Sequence, residues 1–199
     1  SDVCSSDLDA FCGAAESALG PIGLLVNNAG QNMSARITEA TPDQLRLDLE
    51  VNLLGAMYMT RRIVPGMVER RFGRIVNITS AMVKTPMSPM GLSTGARTGL
   101  TSVAKALSKD VVKANVTINN LLPERIDTER QRQMAELHAA SAKITVDEAY
   151  ALMAKSIAAG RIGQPNELGD ACAFLCSAQA GYISGQNLQL DGGSYAGLM

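Results

Sequence analysis

The apolar positions of this chain change period several times, and the changes mark out its elements. Residues 9–19 place Phe11, Ala15, Ala18 and Leu19 at helical spacing until Gly20-Pro21 stops the pattern. Ile22-Gly23-Leu24-Leu25-Val26 then runs apolar without alternation, as a strand covered on both faces does in a parallel sheet. It closes on Asn27-Asn28-Ala29-Gly30, a loop signal. Thr41-Pro42-Asp43-Gln44 predicts a helix start: a threonine cap, proline in the first helical position and glutamine three after the cap. That helix is expected to carry Leu45, Leu49, Leu53, Ala56 and Ile63 on one broad side, and Gly73 separates it from a strand at 74–79.

After a loop at 81–90, Leu100, Val103, Ala104, Leu107 and Val111 recur at helical spacing. A strand follows at 116–122 and Pro123 ends it. The segment 129–160 is polar and helical in places, with a second capping box at Thr145 and Glu148. A helix at about 166–177 and a strand at Asn187-Leu188-Gln189-Leu190 lead into Asp191-Gly192-Gly193. Strand and helix alternate, so the expected class is α/β, with a parallel sheet and right-handed crossovers. Ligands of such sheets bind beyond the carboxyl ends of the strands. The positions that matter therefore follow Val26, Thr79 and Leu122.

Composition narrows the functions more than the fold. The chain has 199 residues, 46% hydrophobic and 19% charged, enough for one core-bearing domain. With 18 basic against 19 acidic residues and a net charge of −1, it has no global field to gather nucleic acid or an anionic membrane. Arg61-Arg62 and Arg70-Arg71 are read as a solvated helix surface. No apolar run approaches the roughly 18–20 residues that span a bilayer, so no membrane partner is expected and the expected location is the cytoplasm. Cys172 and Cys176 lie one helical turn apart, but with a single histidine, His138, they read as small packed residues and no metal is expected.

Five segments, in order, resemble the short-chain dehydrogenase/reductase family. Asn27-Asn28-Ala29-Gly30 is similar to its NNAG element. Gly73-Arg74-Ile75-Val76-Asn77-Ile78-Thr79-Ser80 is similar to its GRIVNISS strand. Pro123 and Thr128 resemble its PGxxxT turn. Arg161-x-Gly163-x-Pro165-x-Glu167, and Ile183-x-Gly185 through Asp191-Gly192-Gly193, resemble its C-terminal signature. The nearest group is the 3-oxoacyl-carrier-protein reductase-like branch. The resemblance implies a Rossmann-like doubly wound sheet in three αβα layers. It implies hydride transfer between NAD(P)(H), with NADP somewhat favoured, and a small carbonyl or alcohol substrate. It also implies a homodimer or homotetramer built through the long helices at 42–68 and 91–114.

Carried over by position, Asn28, Ala29 and Gly30 would line the adenosine side of the cofactor. Pro123, Ile126 and Thr128 would lie along the nicotinamide side, with Thr128 bonded to its carboxamide. Asn52 would hold a proton-relay water, and Ser80 would bond the substrate carbonyl. Each has a plainer reading: Gly30 as a turn glycine, Asn52 as a satisfied buried amide, Ser80 as a strand-end cap and Thr128 as a helix N-cap.

Three departures from the family pattern stand out. The glycine-rich loop that cradles the pyrophosphate is absent, which implies that roughly 60–70 residues of a first βαβαβ half precede this chain in a longer product. On that reading residues 1–8, SDVCSSDL, are an adapter-derived string and the domain is 9–199, poorly soluble and inactive by itself. Glu124 takes the glycine place of the PG turn, its side chain expected to point outward. Ser93 and Arg97 stand where the family has Tyr-x3-Lys. A serine is a weaker acid than a phenol of pKa about 10, and arginine does not exchange protons near neutrality. Loss of a general acid costs about 10²–10⁴ in rate. The expected enzyme is thus an altered oxidoreductase with Asn52, Ser80, Ser93 and Arg97 as its catalytic set. The alternative is an impaired homologue that binds nucleotide or serves as a scaffold. Proton donors from elsewhere, such as Tyr58, Tyr182 or Tyr195, are a further possibility that no spacing places in the site.

Overall fold

The computed structural model describes residues 5–31 and 35–198. The expectation for residues 1–8 lies partly outside that range. The helices are α1 (Ser5–Leu19), α2 (Pro42–Leu49), α3 (Gly55–Glu69), α4 (Gly91–Val111), α5 (Glu129–Ala142), α6 (Val146–Lys155) and α7 (Pro165–Cys176). The strands are β1 (Leu24–Asn27), β2 (Gly73–Ile78), β3 (Val116–Pro123) and β4 (Asn187–Leu190). They form one sheet in the order β1-β2-β3-β4, every pair parallel. All four carboxyl ends therefore lie along one edge.

Period-two burial splits the strands between two cores. Ile75, Val116 and Ile118 pack with Cys12 of α1, Ile63 and Met67 of α3 and Ala104 and Val111 of α4. Val76 and Leu121 face the other way onto Leu175 and its neighbours on α7. These are the three αβα layers of a Rossmann-like fold. Helices α5 and α6 pack on each other around Ala135, Ala139, Ala149 and Met153. Cys172 and Cys176 sit half-buried beside the α7 core, where burial and the neighbouring thiol push Cys172 up to about 11.

A ladder of asparagines ties the strands together. Asn27, Asn77, Asn120 and Asn187 occupy matched register positions on β1 to β4. Asn27 Nδ2 donates to Asn77 Oδ1 at 2.8 Å, Asn77 to Asn120 at 2.9 Å, and Asn120 to Asn187 at 2.7 Å. Each amide satisfies its neighbour, which lets Asn77 and Asn120 be buried at no polar cost.

Two local expectations change. Both capping boxes form, at Thr41/Gln44 and Thr145/Glu148. The apolar stripe after Thr41 does not run straight, because Glu50–Leu54 is a π turn between α2 and α3. The wider turn rotates α2 relative to α3, leaving Leu49 45% exposed while Asp48 and Asn52 go inside at 2% and 3%. Of the paired arginines, Arg61, Arg70 and Arg71 are exposed, as a solvated surface requires, and Arg62 is half-buried. Arg62 bonds Glu16 at 2.7 Å, Arg70 caps the end of α3, and Arg71 turns left-handed with φ 54°.

Candidate active site at the carboxyl edge of the sheet

The loop after β1 is held from two sides. From the π turn, Asn52 Oδ1 accepts the Gln31 N–H at 3.1 Å, and Asn52 Nδ2 donates to the Gln31 carbonyl at 2.9 Å. The second Nδ2 hydrogen goes to Asp48 Oδ1 at 3.0 Å. Both amide hydrogens are thus engaged, and Asn52 keeps only a lone pair on Oδ1 for a water. From α4, Ser93 Oγ donates to the same Gln31 carbonyl at 3.3 Å.

Arg97 links this cluster to β2. Its Nε donates to Ser93 Oγ at 3.1 Å and its Nη1 to the Thr79 carbonyl at 2.7 Å, with the Ile78 carbonyl at 3.4 Å. Gly30 is a glycine for this reason: a Cβ there would lie 2.9 Å from Arg97 Nη2 and 3.1 Å from Asn52 Oδ1. Arg97 has no ion pair among the described residues. Burial lowers its pKa, partly offset by the charge of Asp48. Burial pushes the Asp48 carboxyl up, against the pull of the Asn52 hydrogen bond and of Arg97.

The structure brings Gly30, Asn52, Ser93 and Arg97 together, with Ser80 adjoining Thr79. Asn28 and Ala29 form an exposed rim. Ser80 caps the turn at Ala81–Val83, its Oγ accepting from Met82 N at 3.2 Å. Ser93 is 2% exposed, so its hydroxyl lies under the surface.

Past Pro123, the segment 125–127 runs beside Gly163. Gly163 N donates to the Arg125 carbonyl at 3.0 Å and Asp127 N to the Gly163 carbonyl at 2.8 Å. A Cβ on Gly163 would sit 2.9 Å from Ile126 Cδ1. Thr128 is an N-cap, accepting from Gln131 N at 3.4 Å at the start of α5. The Arg161–Glu167 pair of the C-terminal signature is bidentate, at 2.7 and 2.6 Å. Glu124 departs from expectation: it is half-buried and faces Ser194 and Asp191, and burial raises its pKa. Of the tyrosines weighed as donors, Tyr182 is fully exposed and Tyr195 carries the Lys84 ammonium 4.9 Å from its ring centroid. Tyr58 lines an outer groove with Asp9, Arg61 and Arg62.

Sequence reasoning passed over Asp48 and Gln31. Asp48 could have been found as the polar interruption at i, i+4 from Asn52 within a leucine stripe. No local pattern marks Gln31, because its importance lies in who binds its backbone.

A parallel αβα sheet with a half-buried cation and hydroxyls gathered at its carboxyl edge defines a Rossmann-like nucleotide-binding protein. A family model described as enoyl-(acyl carrier protein) reductase matches residues 2–195. The chain is 34% identical over 180 residues to acetoacetyl-CoA reductase of Shinella zoogloeoides, covering 90% of this chain and 70% of that protein. It is 27% identical over 188 residues to 3-oxoacyl-[acyl-carrier-protein] reductase of Vibrio cholerae, covering 94% and 72%. Among solved structures it superposes on YwfH, an NADPH dependent reductase involved in bacilysin biosynthesis. The TM-score is 0.91 at 26% identity, covering 98% of this chain and 75% of that one. Actinorhodin polyketide ketoreductase with NADPH gives 0.90 at 26%, covering 96% and 74%. The chain belongs to the short-chain dehydrogenase/reductase family, in its 3-oxoacyl-reductase-like branch.

Proposed function

We propose that this protein is an NAD(P)(H)-dependent ketoreductase of 3-oxoacyl thioesters in which carbonyl polarisation replaces the family's tyrosine proton donor. The observation that carries the reading is the Arg97 cluster: a cation without a counter-ion in contact among the described residues, fixed by the Thr79 carbonyl and Ser93 where β1 and β2 end. The names of the relatives support a 3-oxoacyl substrate, and the NADPH named in both structural neighbours supports NADPH as the cofactor.

The residues fit the nicotinamide half of a dinucleotide. Gly30 leaves the rim open beside Arg97, and the turn from Pro123 to Thr128 ends on the same edge. Asn28, Ala29 and Gly30 would hold the adenosine side, while Pro123, Ile126 and Thr128 would hold the nicotinamide. Bound there, the cofactor supplies the hydride. Ser80 hydrogen-bonds the substrate carbonyl, and the fixed positive charge of Arg97 favours negative charge on its oxygen. Ser93 and Asn52 act by position, holding Arg97 and the loop after β1, and water supplies the proton. The Met82, Met87 and Met90 loop and the α5–α6 pair form the substrate's apolar cover. Assembly as a homo-oligomer runs through α3 and α4, between which lies an apolar groove of about 310 Å³ lined by Val64, Val103 and Leu107.

The test is NADPH oxidation by the full-length protein with acetoacetyl-CoA and a ketone panel. Reduction that speeds up in Ser93→Tyr/Arg97→Lys supports the reading. NADPH binding with no turnover on any ketone rejects it in favour of a nucleotide-binding homologue without catalysis, a reading that the burial of Ser93 favours.

A further inference from the structure

On the turn that follows β3, one cation is left without a partner. Arg125 is half-buried, and its guanidinium makes no hydrogen bond and no ion pair among the described residues. Its Nε is enclosed and unbonded, whereas Nη1 and Nη2 are unbonded and accessible. Enclosing Nε without an acceptor costs folding free energy. The same residue lines a cavity of about 150 Å³ where β3 and β4 end. One wall of that cavity is aliphatic, from Ile126, Ile157 and Leu190.

The other charges near the cavity are already matched. Arg161 and Glu167 form their bidentate pair at 2.7 and 2.6 Å. The Asp191 carboxylate accepts from Gly193 N and Tyr195 N, each at 3.0 Å, and from Gln189 Nε2 at 3.3 Å. Glu124, beside Arg125 in the chain, is hydrogen-bonded to Ser194. Charge and shape then select a ligand for Arg125. The end of a guanidinium fork fits a carboxylate through two parallel N–H···O bonds. A phosphate dianion would bring a second negative charge towards Asp191 and Glu167, and Coulomb repulsion disfavours it. The volume is below the ~300–1,000 Å³ of pockets for drug-sized ligands, and the aliphatic wall suits a short alkyl chain.

We propose that this cavity binds a short-chain monocarboxylate. Its carboxylate lies end-on to Nη1 and Nη2 of Arg125, and its alkyl chain lies against Ile126, Ile157 and Leu190. The site has no residue in common with the Arg97 cluster. It shares with the ketoreductase reading only the turn residue Ile126, whose side chain faces Gly163, and it stands if that reading falls.

The test titrates butyrate, butyramide and inorganic phosphate into the full-length protein by calorimetry at neutral pH. Wild type, Arg125→Met and Arg125→Lys are compared. Butyrate should bind wild type at one site, phosphate should bind more weakly, and the uncharged butyramide should not bind. Arg125→Met removes the fork and should weaken butyrate binding about 10–100-fold, as for loss of one charge-assisted contact. Arg125→Lys keeps the charge without the planar fork and should fall between the two. Three results overturn the proposal: no butyrate binding by wild type, undiminished binding by Arg125→Met, or phosphate bound more tightly than butyrate. If Arg125→Met does not fold, Arg125→Lys decides alone. Weaker butyrate binding than wild type then upholds the site, and equal binding overturns it.

Discussion

Gly30→Ala probes the cluster at its tightest point. The added Cβ would meet Arg97 Nη2 at 2.9 Å and Asn52 Oδ1 at 3.1 Å. Neither neighbour can give way freely. Arg97 is tied to Ser93 and to the Thr79 carbonyl, and Asn52 to Gln31 and Asp48. Moving Arg97 by a few tenths of an ångström stretches charge-assisted bonds, each worth roughly 1.5–3 kcal/mol. Partial loss of one or two gives about 2–3 kcal/mol. A chain of this size loses roughly 2–4 °C per kcal/mol, so melting should fall by about 4–12 °C. Gly95→Ala, on α4 between Ser93 and Arg97, is the control. A Cβ there meets nothing within 4 Å. Removing glycine from a helix interior stabilises by roughly 0.5–1 kcal/mol. Urea and thermal unfolding of both variants should therefore move in opposite directions, and Gly30→Ala should also weaken dinucleotide binding. Two variants that shift together, or a Gly30→Ala protein as stable as wild type, would refute the geometry described for Arg97.

The pH dependences differ in sign between two carboxylates. Asp48 is raised by burial, so the stability it contributes is present below its unfolded value and lost as pH rises through the folded one. Asp48→Asn should consequently gain on wild type as pH rises from about 4 to 8, and a melting-temperature difference that stays flat over that range would count against a buried, titrating Asp48. Glu167 is lowered from 4.5 to about 2, chiefly by Arg161 and the Gln164 N–H. Its contribution is present above pH 4.5 and lost towards pH 2, so Glu167→Gln should flatten that acid limb and lower stability at neutral pH by the same amount, a small one because the pair is exposed.

What the sequence disclosed was mostly what local chemistry controls. Thr41-Pro42-x-Gln44 stated its helix start completely, because a capping box is contained within four residues. The run 74–79 announced a strand covered on both faces, found at Gly73–Ile78, and the Asn187–Leu190 strand appeared with its bounds unchanged. The π turn at Glu50–Leu54 was not legible, because one extra residue per turn leaves no mark on apolar spacing over so short a stretch. Leu49 was misassigned to the buried side and Asp48 overlooked for that single reason. In the site, register singled out Ser93 and Arg97, which the fold sets in contact, but it did not show that the serine would be buried against a backbone carbonyl. Gln31 was invisible because its two partners, Asn52 and Ser93, lie 21 and 62 residues away in the chain.

The amide rungs that cross β1 to β4 have a bearing on how such a protein can change. Strands repeat their facing every second residue, so sliding either central strand by a single step would break two rungs at once and leave the buried Asn77 or Asn120 unpaired. The tips that carry Gly30, Ser80 and Pro123 are thereby kept level, whatever residues decorate them. Chemistry at the rim can drift while the platform beneath stays in alignment.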